Sequence, residues 1–132
     1  MSKKSLILIV DDDQNFLEIA TAKLVAAGFE VETASDQATA IERAAEIKPD
    51  LVLMDIHMPG KTGTDTALAL KSDPRTKSLR VVFLSSLKEP WSGFTGEGRD
   101  EMAQELGMEH FLDKSVVIEN LGEVVKKIIR SA

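Results

Sequence analysis

The sequence predicts a doubly wound α/β sandwich built on a parallel sheet. Leu6 to Val10 reads Leu-Ile-Leu-Ile-Val without alternation, the pattern of a strand covered on both faces rather than on one. Short apolar runs recur at Leu51 to Met54 and Val81 to Leu84. Between these runs the apolar residues fall at helical spacing, so strands and helices alternate as in parallel βαβ units with right-handed crossovers. Periodicity does not give the order of the strands in the sheet.

Taken in order, the first strand is Ser5 to Val10, and after Asp11, Asp12 and Asp13 the period changes. Phe16, Ile19, Ala20, Leu24 and Ala27 mark a helix, with Gly28 where a helix closes in the left-handed conformation. Phe29 to Ala34 is the second strand. Asp36 is placed to cap a helix carrying Ala40, Ile41, Ala44 and Ala45. That helix stops before Pro49, because the residue ahead of a proline avoids the α region. Leu51 to Met54 is the third strand, and Thr62 or Thr64 opens a third helix through Leu68 and Leu70. The polar stretch Ser72 to Ser78 leads into the fourth strand, Val81 to Leu84. A long loop, Leu87 to Gly98, precedes a helix from about Arg99 to Leu106, and His110 to Leu112 is a short fifth strand. The last helix, Val116 to Arg130, carries an apolar stripe of Val117, Leu121, Val124, Val125, Ile128 and Ile129. Five strands and five helices use up residues 1–132 as one domain, so no output domain is expected within them.

Length and composition narrow the function. The 132 residues suffice for one core and not for two. A composition 43% hydrophobic and 29% charged is that of a globular chain and not of a disordered one. A net charge of −6 argues against a nucleic-acid surface, which would need a clustered basic face. The absence of cysteine excludes disulfides and thiolate chemistry and agrees with a reducing compartment. The apolar run after Met1 is too short for a signal sequence or a membrane span, so the cytoplasm is the expected location and no membrane is expected as a partner.

In open α/β sheets ligands lie outside the carboxyl ends of the strands. Here those ends carry Asp11, Asp12 and Asp13, then Asp55, then Ser85 and Ser86, then Asp113 and Lys114. Gathered carboxylates repel unless a cation neutralises them, and oxygen donors with open positions favour magnesium or manganese over zinc. One carboxylate can then act as nucleophile on phosphorus, with the lysine balancing charge on the equatorial oxygens. A hydroxyl at Ser85 suits hydrogen bonding to the phosphoryl product.

The stretches LILIVDDD, PDLVLMDIHMPGKTG, VVFLSS and GMEHFLDK, in this order, give the chain an end-to-end resemblance to the response-regulator receiver domains of the CheY-like, single-domain type. The resemblance implies a flavodoxin-like fold with five parallel strands in the order 2-1-3-4-5. It implies that Asp55 accepts a phosphoryl group from a sensor histidine kinase or a phosphotransfer protein in a magnesium- or manganese-dependent reaction. Asp11, Asp12, Asp55 and the backbone carbonyl of His57 would hold the metal. Ser85 and Lys114 would bind the phosphoryl group, and Phe111 would act as the aromatic switch. The face of the fourth helix, fifth strand and fifth helix would then change shape and meet a downstream protein target. The chain would be a monomer or a weak homodimer through that face, and no enzyme beyond catalysing its own phosphorylation and dephosphorylation.

Two departures from the family pattern concern the readout. Ser115 stands where receivers usually have proline after the lysine, and a trans Lys114-Ser115 bond is expected, since a cis bond to a non-proline residue costs about 2.5–4 kcal/mol. The long Leu87 to Gly98 loop holds Trp91 and Phe94 among glycines; it is a candidate partner-docking element or lid, against the plainer reading that both rings pack back on the domain.

Each singled-out residue also has a plain structural reading. A single aspartate after a strand is more often a helix cap than a ligand, which is the expectation for Asp13 but not for Asp11 and Asp12. His57 and His110 lack the spacing of a zinc site. Two rival functions follow from the same residues. A haloacid-dehalogenase-type phosphatase would use Asp11 as nucleophile, but Asn15 breaks its D-x-D-x-T/V pattern. A phosphorylation-independent adaptor on the receiver fold would usually have lost a member of the acidic pair, the acceptor or the lysine, and all are present.

Overall fold

A computed structural model describes residues 4–55, 63–85, 110–114 and 118–130. Its elements are β1 (Leu6–Val10), α1 (Gln14–Ala26), β2 (Glu30–Ala34), α2 (Gln37–Ile47), β3 (Leu51–Asp55), α3 (Gly63–Ser72), β4 (Val81–Ser85), β5 (His110–Asp113) and, after a 3-10 turn at Ile118–Asn120, α4 (Leu121–Arg130). The five strands form one sheet in the order β2-β1-β3-β4-β5, and every neighbouring pair is parallel.

The uninterrupted apolar strands are explained by what covers them. Alternate residues of each strand point to opposite faces. Ile7, Ile9, Leu51, Leu53, Val82 and Leu84 pack with Leu17, Leu24, Leu121 and Val125 from α1 and α4. Leu8, Val10, Val52, Met54 and Phe83 pack with Ala40, Ala44 and Leu70 from α2 and α3. With helices on both sides, a polar residue at either parity would be buried without a partner, and β1, β3 and β4 contain none before their carboxyl ends.

Local signals set the helix boundaries. Asp13 caps α1, its carboxylate accepting from the Asn15 N–H at 3.0 Å and the Phe16 N–H at 3.3 Å. At the other end the Phe29 N–H bonds to the Leu24 carbonyl and the Gly28 N–H to the Val25 carbonyl, both at 3.0 Å. This closure needs the left-handed conformation at its turning residue, and Gly28 adopts φ 98°. Asp36 caps α2 by accepting from the Thr39 N–H at 2.8 Å, and Lys48, at φ 46°, ends that helix ahead of Pro49.

The bond from the Thr39 N–H, followed by the one from its hydroxyl, holds the Asp36 carboxyl below its ordinary value of 3.8. A depressed folded-state value means that the stabilisation is present above the unfolded-state value and disappears as pH falls through the folded-state value. Asp36→Ala is therefore expected to lower the thermal midpoint at about pH 7, with the gap to wild type narrowing as pH falls below 3.8. Thermal melts of both chains across that range provide the measurement; a gap that stays constant would rule out the charged cap.

The structure corrects the reading at two helices. Ile19, assigned to the inner face of α1, is 49% exposed, and Leu17 is buried instead. Leu17 follows Phe16 directly and lies one helical turn before the Ala20–Leu24 stripe, which rotates the inward face away from Ile19. The last α-helix starts at Leu121 and not at Val116, with the tighter 3-10 turn at Ile118–Asn120 before it. The expected helix at 99–106, the 87–98 loop with Trp91 and Phe94, His57 and the Lys114-Ser115 bond lie outside the described residues.

Long-range side-chain contacts fix the lower half of the fold. The Arg80 guanidinium, just before β4, donates to the carbonyls of Ile128 at 2.6 Å and Ile129 at 3.3 Å. It thereby satisfies carbonyls that a helix C-terminus leaves without partners. Gly122 gives α4 its close approach to α1, because a Cβ there would lie 2.7 Å from the Ala27 Cβ.

Candidate functional site

The parallel sheet brings the carboxyl ends of all its strands to one edge, and the acidic residues expected there meet. Asp11 follows β1 directly, and its N–H donates to the Ala34 carbonyl of β2 at 3.0 Å, which extends the sheet pairing by one residue. Its carboxylate is fully buried. One oxygen, Oδ1, accepts from the Asp13 N–H at 2.9 Å. Asp55 is the last residue of β3, paired in register with Leu84 and 4% exposed. Asp12 is exposed beside them. One oxygen from each of Asp11, Asp12 and Asp55 lies within 4.8 Å of the others.

Lys114 enters from the far side of the sheet. Ser85 and Asp113 are in register across β4 and β5, so the residue after Asp113 emerges at the rim. Its ammonium stands 2.6 Å from Asp11 Oδ2 and 3.7 Å from Asp55 Oδ2. Burial, the largest single influence, pulls the Lys114 value down, but the close pairing with Asp11 and the charges of Asp55, Asp11 and Asp13 outweigh it and hold it above the ordinary lysine value. The group is thus an ammonium throughout the neutral range. Its approach to the buried Asp11 carboxylate is a close, charge-assisted pairing.

The charge balance and the donor atoms test whether the residues suit a metal. Three carboxylates against one ammonium leave an excess of two negative charges, which is the charge of one divalent ion. The donors are all hard oxygens, and the exposed position of Asp12 leaves one side of the cluster open. The donor set therefore fits a hard divalent cation that keeps free coordination positions.

The cluster joins the residues read from the sequence as Asp11, Asp12, Asp55 and Lys114. Ser85 and Phe111 stand on β4 and β5 as expected, placed by their backbone alone. Asp13 serves as the helix cap and not as a further ligand. Sequence reasoning missed Phe16, whose ring centroid lies 4.5 Å from the Lys114 ammonium. Its helical spacing marked it as core, which it is, and no local signal connects it to a lysine that follows β5.

A doubly wound parallel sheet with a lysine-paired carboxylate cluster at its carboxyl edge defines a class of phosphoryl-accepting signalling domain. The chain belongs to the response regulator receiver domain family, whose model matches residues 7–126, and so to two-component phosphorelay signalling. It is 38% identical over 112 residues to the response regulator PleD of Caulobacter vibrioides, a match covering 83% of this chain and 23% of that protein. The chain thus spans less than a quarter of the length of that relative. Among solved structures, a response regulator from Chloroflexus aurantiacus superposes with a TM-score of 0.80 at 26% identity, over 97% of this chain and 99% of that one. The chemotaxis protein CheY4 of Vibrio cholerae, with a TM-score of 0.78 at 24% identity over 95% of this chain and 98% of its own, shares the fold.

Proposed function

We propose that Asp55 is the phosphoacceptor and that a sensor histidine kinase or a phosphotransfer protein is the donor. The supporting observation is that the Asp55 carboxylate belongs both to the three-carboxylate cluster and to the surroundings of the Lys114 ammonium. An Asp55 oxygen forms the new bond to phosphorus as the bond from phosphorus to the donor's histidine nitrogen breaks, and the product is a mixed anhydride on the strand end. Lys114 balances the negative charge that the phosphoryl group brings. Asp11, Asp12 and Asp55, with the His57 main-chain carbonyl, would hold magnesium or manganese, which would supply neutralisation of the phosphoryl oxygens. Ser85 takes the product by a hydrogen bond, and Phe111 follows it, biasing the face around β5 toward a downstream protein partner. The proposed setting is the cytoplasm.

The geometry favours this reading over the phosphatase alternative, in which Asp11 attacks and Asp13 is the second aspartate of the D-x-D pattern. Asp13 is committed to the α1 backbone, and Asp11 is fully buried against Lys114. Incubation with acetyl phosphate and magnesium, followed by borohydride trapping and peptide mass mapping, should place the phosphoryl group on Asp55. Label on Asp11 would support the phosphatase, and absence of label would support a phosphorylation-independent adaptor.

A further inference from the structure

We propose that Phe16 is a positioning residue for Lys114, holding the ammonium at the reaction centre once the carboxylates have been taken up by a divalent cation. The inference rests on the functional reading above and concerns how its lysine stays in place.

Lysine is a flexible point charge on a four-carbon stem, so its ammonium goes where its partners are. Here the partners are of two kinds. On one side stand Asp11 at 2.6 Å and Asp55 at 3.7 Å. On the other is the face of Phe16, 4.5 Å from ammonium to ring centroid, well inside the range of cation–π attraction. The carboxylates are also the metal donors, and a divalent ion among them withdraws much of the negative charge that attracts the lysine. The ring offers nothing to a hard cation that prefers oxygen. Its attraction therefore survives loading of the site, as does the charge of Asp13, which is held at the α1 cap and is not among the metal donors.

Phe16 is suited to this by its own placement. Its N–H is bound by the Asp13 cap, and its ring lies among Leu17, Ala20 and the strand residues of the α1-facing core. It is 9% exposed, so it is anchored on the core. Lys114 keeps 17% of its side chain exposed, which leaves it free to shift between the carboxylates and an arriving phosphoryl group while remaining over the ring.

The test compares wild type with Phe16→Met, which keeps an apolar side chain but removes the aromatic face, and Phe16→Tyr, which restores the face. Thermal melts and magnesium titrations establish that each variant is folded and loads metal. With saturating magnesium and acetyl phosphate, Phe16→Met should be phosphorylated about threefold to tenfold more slowly than wild type, the size of a partly buried cation–π contact. Phe16→Tyr should lie within about twofold of wild type, and magnesium affinity should change little in either variant. In lysine-labelled protein the Lys114 ε-methylene resonance should show an aromatic ring-current shift that persists with magnesium and is lost in Phe16→Met. A Phe16→Met chain that is phosphorylated at the wild-type rate, or a ring-current shift abolished by magnesium, overturns the proposal. A wild-type chain that takes up no phosphoryl group instead overturns the functional reading, while the ring-current measurement still decides the placement of the lysine.

Discussion

Asp55→Asn is expected to abolish phosphoryl incorporation from acetyl phosphate or a phosphorylated donor, by at least about a hundredfold, while the fold persists. The amide is nearly isosteric with the carboxylate, so the packing at the end of β3 is kept, but it lacks the anionic oxygen that attacks phosphorus. It also lowers the negative excess of the cluster from two charges to one, so magnesium affinity should fall as well. Without divalent cation, the thermal midpoint should stay level or rise, because Asp11 and Asp12 lose a like-charged neighbour. Retained labelling of the asparagine variant, seen by mass spectrometry of the intact protein, would place the acceptor elsewhere. A collapsed midpoint would instead show Asp55 to be structural.

Leu53→Ala should be the most damaging conservative change in the sheet. Leu53 is fully buried on β3 and packs between α1, α4 and the neighbouring strands. Removing its branch deletes the transfer free energy of the buried methyl groups and leaves a cavity that two rigid neighbouring strands cannot close, a loss of about 2–5 kcal/mol. For a domain of this size that corresponds to a fall of roughly 8–18 °C in the thermal midpoint. Circular dichroism melts decide it: a decrease of only a degree or two would mean that the α1-facing core can collapse around the gap. Ile19→Ala, at an exposed site on α1, provides the contrast and should change stability little.

Most of the fold was legible because its signals are local. The Leu-Ile-Leu-Ile-Val run announces two-sided burial, Asp13 and Asp36 announce helix starts, and Gly28 announces the turn that ends α1. The acidic cluster was legible because a parallel sheet sends every strand's carboxyl end to the same edge, so Asp11, Asp55 and Lys114 are brought together by topology without any local pattern relating them. What stayed hidden depends on contacts between distant parts of the chain. The choice of Leu17 over Ile19 for the inner face depends on the angle at which α1 lies across the sheet. The grip of Arg80 on the carbonyls of Ile128 and Ile129, and that of Phe16 on Lys114, join residues whose own neighbours give no hint of the partner.

The strand order gives the two halves of the reaction centre different local stabilities. β1 and β3, which end in Asp11 and Asp55, each have a strand on both sides, while β5, which delivers Lys114, has β4 alone. Strands paired on both sides open only with the whole domain, whereas an edge strand can part from its one neighbour at a smaller free energy. The acids thus stand on strands paired on both sides, and their counter-charge on one of the sheet's borders. A change of state after phosphorylation can draw on the border's lower opening free energy and leave the geometry around Asp55, the proposed acceptor, intact.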